Sequence, residues 1–220
     1  MTQKILVCGF PHCGTYILKT ILGHIEDVEE ITQETERINT STNKPFILCK
    51  YPFTKDSFFD TRYKDYIKIF IIRNPLFVFS SLNKRFNYKI PNDHSFEKYV
   101  GTIKKFIKHR NTSNVYHVRY EDMFNDDFKL LKDIISNIGI EYKDDIFENT
   151  KYQNKITQNF IMVDTKPDNI QHVKYRTWQI NQSFVSNNEH SKLDLSDHQK
   201  IQITNNPYVL QLYPDIKDYL

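Results

Sequence analysis

The apolar run Ile5-Leu6-Val7-Cys8 leads directly into Gly9 and a short loop that closes at Gly14. An unbroken apolar run is what a strand buried on both faces requires. Beyond the loop, Ile17, Leu18, Ile21, Leu22 and Ile25 recur at helical spacing. Strand, glycine-bounded loop and amphipathic helix therefore follow one another within about twenty-five residues. A strand of this kind demands a helical layer on each of its faces.

The alternation continues. Phe46-Ile47-Leu48-Cys49 reads as a second strand, Tyr66 to Ile72 as a third and Val115 to Val118 as a fourth. A helix is expected after Pro75, a residue suited to a first helical turn. Ser95 is placed to cap a helix that carries Phe96, Tyr99, Val100, Ile103, Phe106 and Ile107 on one face. Asp126 is expected to open another, through Phe128, Leu131, Ile134, Ile135 and Ile138, stopped by Gly139. Alternating strands and helices predict a three-layer α/β fold: a central parallel sheet with helices on both faces, of the P-loop NTPase-like kind. The chain of 220 residues, 39% hydrophobic, suits one domain. Its sheet core is expected over about 1–145. Polar residues dominate 148–159, helical character returns near 195–203, and the segment 146–220 is expected to lie over the sheet.

The loop Gly9-Phe10-Pro11-His12-Cys13-Gly14-Thr15-Tyr16 has the G-x-x-x-x-G spacing of a P-loop. Backbone N–H groups and the positive helix end there would make an anion site. A plain strand-to-helix turn that needs glycine is the other reading. The nucleotide-triphosphatase version places Lys and then Ser or Thr after the second glycine, for the phosphates and Mg²⁺. Here those positions hold Thr15 and Tyr16. ATP or GTP hydrolysis is therefore disfavoured, and a less charged donor needing no metal, such as a phosphosulfate, fits better.

The third strand ends in Arg73-Asn74-Pro75, with Ser80-Ser81 following. Ligands of open α/β sheets bind at such carboxyl ends, and an arginine and a hydroxyl converging there suit a phosphate monoester. An arginine paired to a carboxylate is the alternative. A strand, a P-x-x-G-T loop and then R-N-P with serine eight residues after the arginine resembles the sulfotransferases that use 3′-phosphoadenosine-5′-phosphosulfate (PAPS). The segment Val118-Arg119-Tyr120-Glu121-Asp122-Met123 is similar to that family's Y-E-D-[LM] segment. The resemblance covers roughly residues 4–140. It implies that Pro11, His12, Cys13, Gly14, Thr15 and Tyr16 hold the 5′-phosphosulfate, that Arg73 and Ser81 hold the 3′-phosphate, and that Tyr120 lies near the adenine. The family's loop usually has Lys or Arg at His12 and Ser at Cys13. A histidine there is a cation only if bound anions raise its pKa. His12→Lys is accordingly expected to preserve or improve PAPS binding.

The resemblance also implies catalytic groups. Gln33-Glu34-Thr35-Glu36-Arg37 is similar to the E-E-T-R segment of tyrosylprotein and bacterial-type sulfotransferases, which makes Glu34 the candidate acceptor base. A solvated acidic loop is the other reading, since Glu26, Asp27, Glu29 and Glu30 crowd the same stretch. Leu48-Cys49-Lys50-Tyr51-Pro52-Phe53 resembles the C-N-K-D-P-F segment of that subgroup, so Lys50 would neutralise charge in the transition state. In the C-terminal segment, Arg176 and Lys174, beside Trp178, are candidates to close over the nucleotide 3′-phosphate.

Net charge is +3, too small to argue for nucleic acid and suited to a small anionic ligand. Three cysteines, an odd number with no framework spacing, together with no leader-like or membrane-length apolar stretch, predict a cytoplasmic protein. The eight histidines form no metal pattern. The reading is thus a PAPS-dependent sulfotransferase without a metal, acting on a hydroxyl or amine of a small-molecule or carbohydrate acceptor. The alternatives are a degenerate nucleotide-binding module and a P-loop kinase or hydrolase.

Overall fold

The computed structural model describes residues 2–148 and 193–220. Lys174, Arg176 and Trp178 lie outside the described residues. Five strands, β1 (Gln3–Cys8), β2 (Val28–Glu34), β3 (Phe46–Tyr51), β4 (Tyr66–Ile72) and β5 (Val115–Arg119), form one parallel sheet in the order β2-β3-β1-β4-β5. The chain leaves β1 for β2 and β3 on one side, then crosses to β4 and β5 on the other. The central strand therefore sits where the direction of winding reverses, which is where open α/β sheets form their ligand crevice.

Side-chain alternation divides the core into two layers. Ile5, Val7, Ile67, Ile69 and Ile71 face α1 (Thr15–Gly23) and α4 (Lys129–Ile138), with Leu18, Ile21, Leu22, Leu131 and Ile135 closing that side. Leu6, Cys8, Phe70 and Ile72 face α2 (Pro75–Phe86) and α3 (Phe96–Lys108). The last described residues add α5 (Asp197–Thr204) and α6 (Pro207–Leu212) to this second layer, through Ile203, Val209 and Leu212. All seven residues of β4 are buried, as its unbroken apolar run requires.

Caps follow the sequence signals at two helices. Asn74 accepts from the Leu76 N–H with Pro75 at the first helical position of α2. Ser95 accepts from Lys98 at the start of α3. Two expectations are corrected. The acidic stretch after the first helix is the edge strand β2, so Glu34 ends a strand rather than sitting in a loop. Charges on an edge strand hide its alternation and discourage further pairing. Lys19, only 4% exposed, holds this strand by an ion pair to Glu30 at 2.8 Å and a hydrogen bond to the Thr32 carbonyl. The second correction concerns α4, which starts at Lys129 and not at Asp126. Asp126, Asp127 and Phe128 all have left-handed φ (48°, 54° and 60°) and cannot belong to a right-handed helix.

Candidate active site

The loop after β1 is shaped by contacts that leave no room for side chains at its glycines. A Cβ on Gly9 would lie 2.3 Å from the Ile71 carbonyl oxygen, so this turn runs directly against β4. The Gly9 carbonyl accepts from both the N–H and the hydroxyl of Thr54, tying the loop to the segment after β3. Pro11, His12, Cys13 and Thr15 are buried, and Tyr16 is partly buried. Gly14 precedes α1 with φ of +92°, and no side chain caps that helix. Its first N–H groups thus face the space over the loop, the arrangement that receives anions.

Gly14 also touches Tyr120: a Cβ there would lie 2.5 Å from the ring. Gly14→Ala should destabilise the protein by about 2–4 kcal/mol, combining left-handed strain with overpacking. Gly139→Ala shares the positive φ (+82°) but meets open space, and should cost only about 1–2 kcal/mol. Thermal melts of the two variants measure the difference. Equal losses would show that the Tyr120 contact carries no weight.

Arg73 leaves the end of β4 toward this loop. Its guanidinium stacks on the Tyr120 ring at 4.3 Å, and Nη1 donates to the His12 carbonyl at 3.5 Å. The Arg73 Nε is buried with no hydrogen-bond partner among the described residues. A buried charged donor left unpaired is costly, and an anion beside it would relieve that cost. The backbone around Arg73 is clamped. Tyr99 donates its hydroxyl to the Arg73 carbonyl at 2.5 Å, and the Asn74 N–H donates to Glu121 at 2.7 Å. Burial pushes the Glu121 carboxyl above its usual range, and the Asn74 N–H opposes that shift. Ser81, two turns into α2, comes back to the loop with its hydroxyl 2.7 Å from His12 Nδ1.

A second group lies across β3. Lys50, 3% exposed, donates to the Glu34 carboxylate at 2.5 Å, and strand register sets these two residues opposite each other. The Lys50 ammonium is 5.9 Å from the centre of the Tyr16 ring, on the first turn of α1. A buried ammonium and a half-exposed carboxylate thus adjoin the helix that the anion loop opens.

The predicted residues Glu34 and Lys50 are brought together, as are His12, Ser81 and Arg73. Tyr120 is 3% exposed and lies beneath Arg73. Cys13 is no thiolate: burial pushes its pKa up to about 12, outweighing the nearby Arg73. Sequence reasoning missed three residues here, Arg85, Tyr99 and Glu121. Arg85 Nη1 lies 2.9 Å from His12 Nε2. Its place four residues after Ser81, on the same helical face, was the available signal.

A family model described as the sulfotransferase domain matches residues 2–203. The chain belongs to the sulfotransferase family. This sulfotransferase is similar in fold to the mouse sulfotransferase SULT7A1 solved with PAP, at 16% identity and TM-score 0.59, covering 99% of this chain and 89% of that one. Retinol dehydratase solved with retinol and PAP aligns at 14% identity and TM-score 0.47, over 99% and 81% of the two chains. A search of curated proteins finds no match. Among the described residues of the sulfotransferase, no helix is long and apolar enough to cross a membrane.

Proposed function

We propose that this sulfotransferase draws its sulfuryl group from PAPS and passes it to a hydroxyl or amine of a small-molecule or carbohydrate acceptor. The observation that carries this reading is the meeting of Arg73 and Ser81 with the Pro11–Thr15 turn, through contacts to His12. An anion loop and a guanidinium–hydroxyl pair would grip the two charged ends of one adenosine ligand. The orphaned Arg73 Nε fits such a ligand. The PAP in the SULT7A1 structure is the desulfated form of the same donor.

PAPS supplies an activated sulfuryl group with a phosphate leaving group. Glu34 takes the proton from the acceptor as its oxygen or nitrogen bonds to sulfur. The sulfur–bridging oxygen bond breaks, and the electron pair leaves with the 5′-phosphate. Lys50 neutralises charge growing on the departing oxygen, and its burial strengthens that interaction. The ion pair between Glu34 and Lys50 keeps both charged and oriented before substrate arrives. Lys174 and Arg176 are proposed to contact the 3′-phosphate from the C-terminal segment.

Calorimetry with adenosine 3′,5′-bisphosphate tests the donor reading, and turnover of PAPS with an acceptor panel tests transfer. Binding without magnesium and sulfated product are expected. Magnesium-dependent ATP turnover without bisphosphate binding would overturn the reading, and binding without transfer to any acceptor would reduce the protein to a nucleotide-binding module.

A further inference from the structure

The loop Gly9–Tyr16 contains no residue with a fixed positive charge. Beside Arg73, which reaches the His12 carbonyl, α2 brings a cation to the His12 ring. Arg85 and Ser81 are one helical turn apart and both reach His12, Arg85 at Nε2 (2.9 Å) and Ser81 at Nδ1 (2.7 Å). A guanidinium has donors only. His12 Nε2 must therefore accept, and the imidazole is neutral with its proton on Nδ1, donated to the Ser81 hydroxyl. His12 is 8% exposed and has a left-handed backbone (φ 66°), so ring and main chain are both held in place.

We propose that Arg85 is a positioning residue of the donor site: it locks His12 as the neutral Nδ1–H tautomer and brings to the loop the positive charge that the loop itself lacks. The charge-carrying half rests on the donor reading above; the tautomer lock does not. The Ser81 hydroxyl oxygen accepts from the imidazole N–H and can turn its own hydrogen toward a phosphate oxygen, so the chain Arg85–His12–Ser81 ends in a donor available to an anion. The same geometry bears on His12→Lys. With Arg85 present, that change sets two fixed cations side by side and should not tighten binding. It should help only where residue 85 is neutral.

The test uses the full chain with Arg85→Leu, Arg85→Lys and the double variant His12→Lys/Arg85→Leu. Long-range ¹H–¹⁵N spectra of histidine-labelled protein, assigned with His12→Gln, report the His12 tautomer without ligand. One Nδ1–H tautomer is expected in the wild type, relaxing to a mixture in Arg85→Leu and retained in Arg85→Lys. Calorimetry with adenosine 3′,5′-bisphosphate should show about a tenfold loss or more in Arg85→Leu and recovery of most of it in the double variant. An unchanged tautomer in Arg85→Leu overturns the lock. Unchanged affinity in Arg85→Leu, where the wild type binds, overturns the charge-carrying role and leaves the donor reading intact. No binding by the wild type removes the donor reading and that role together, while the spectra still decide the lock.

Discussion

Glu34→Gln should lower turnover by about two to four orders of magnitude, the range expected for loss of a general base. The change preserves side-chain shape, and Gln can still accept from Lys50, so folding and bisphosphate affinity should stay close to wild type. Glu34 closes an edge strand and is half exposed, where a neutral amide is readily solvated. Lys50→Ala should lower turnover on a similar scale by removing the buried cation proposed to face the leaving oxygen. Because the two groups act as one hydrogen-bonded unit, the double variant should be little slower than the worse single one. Steady-state rates with saturating PAPS measure all three. An unaltered rate in Glu34→Gln would remove it as the base.

Arg73→Leu should weaken adenosine 3′,5′-bisphosphate by about a hundredfold, as the loss of a charge-assisted, two-pronged contact to a phosphate implies. The mounting of this residue is why its neighbours cannot compensate. Its guanidinium and the following N–H are held by Tyr120 and Glu121 in the segment after β5, and its carbonyl by Tyr99 on α3. Arg73→Lys should recover only part of the loss, because an ammonium cannot reproduce the planar fork. Calorimetry with 5′-AMP, which lacks the 3′-phosphate, supplies the control, and wild type and Arg73→Leu should bind it equally. A matching loss for 5′-AMP would place Arg73 at the other end of the nucleotide.

Much of the architecture was legible because buried parallel strands announce themselves. The runs at Ile5–Cys8, Phe46–Cys49 and Tyr66–Ile72 had to be strands, and the helices between them carried plain apolar faces. The edge strand β2 was not legible. Its residues Val28-Glu29-Glu30-Ile31-Thr32-Gln33-Glu34 are covered by few neighbours and carry charges on both sides, so neither an apolar run nor a clean alternation survives. Glu34 was nevertheless singled out as a candidate by its motif, although its strand was not. The helix start at Lys129 was hidden for a different reason. Three successive left-handed residues are a tertiary solution, in which Phe128 packs on Phe124 and Phe147, and no local spacing encodes it. Ser81 and Arg73 were legible from position in the fold. The contacts of His12 with Ser81 and Arg85 were not, because hydrogen-bond partners of a histidine depend on where its loop is carried.

The placement of Lys50 on β3 and Arg73 just past β4, with β1 between them, has a consequence for ligand choice. Adjacent strands are separated by about 4.8 Å, so two intervals put these backbones roughly 10 Å apart. The sheet therefore acts as a fixed gauge. On the proposed donor reading, these two strand ends are addressed by the groups on the 5′ and 3′ carbons of one nucleoside.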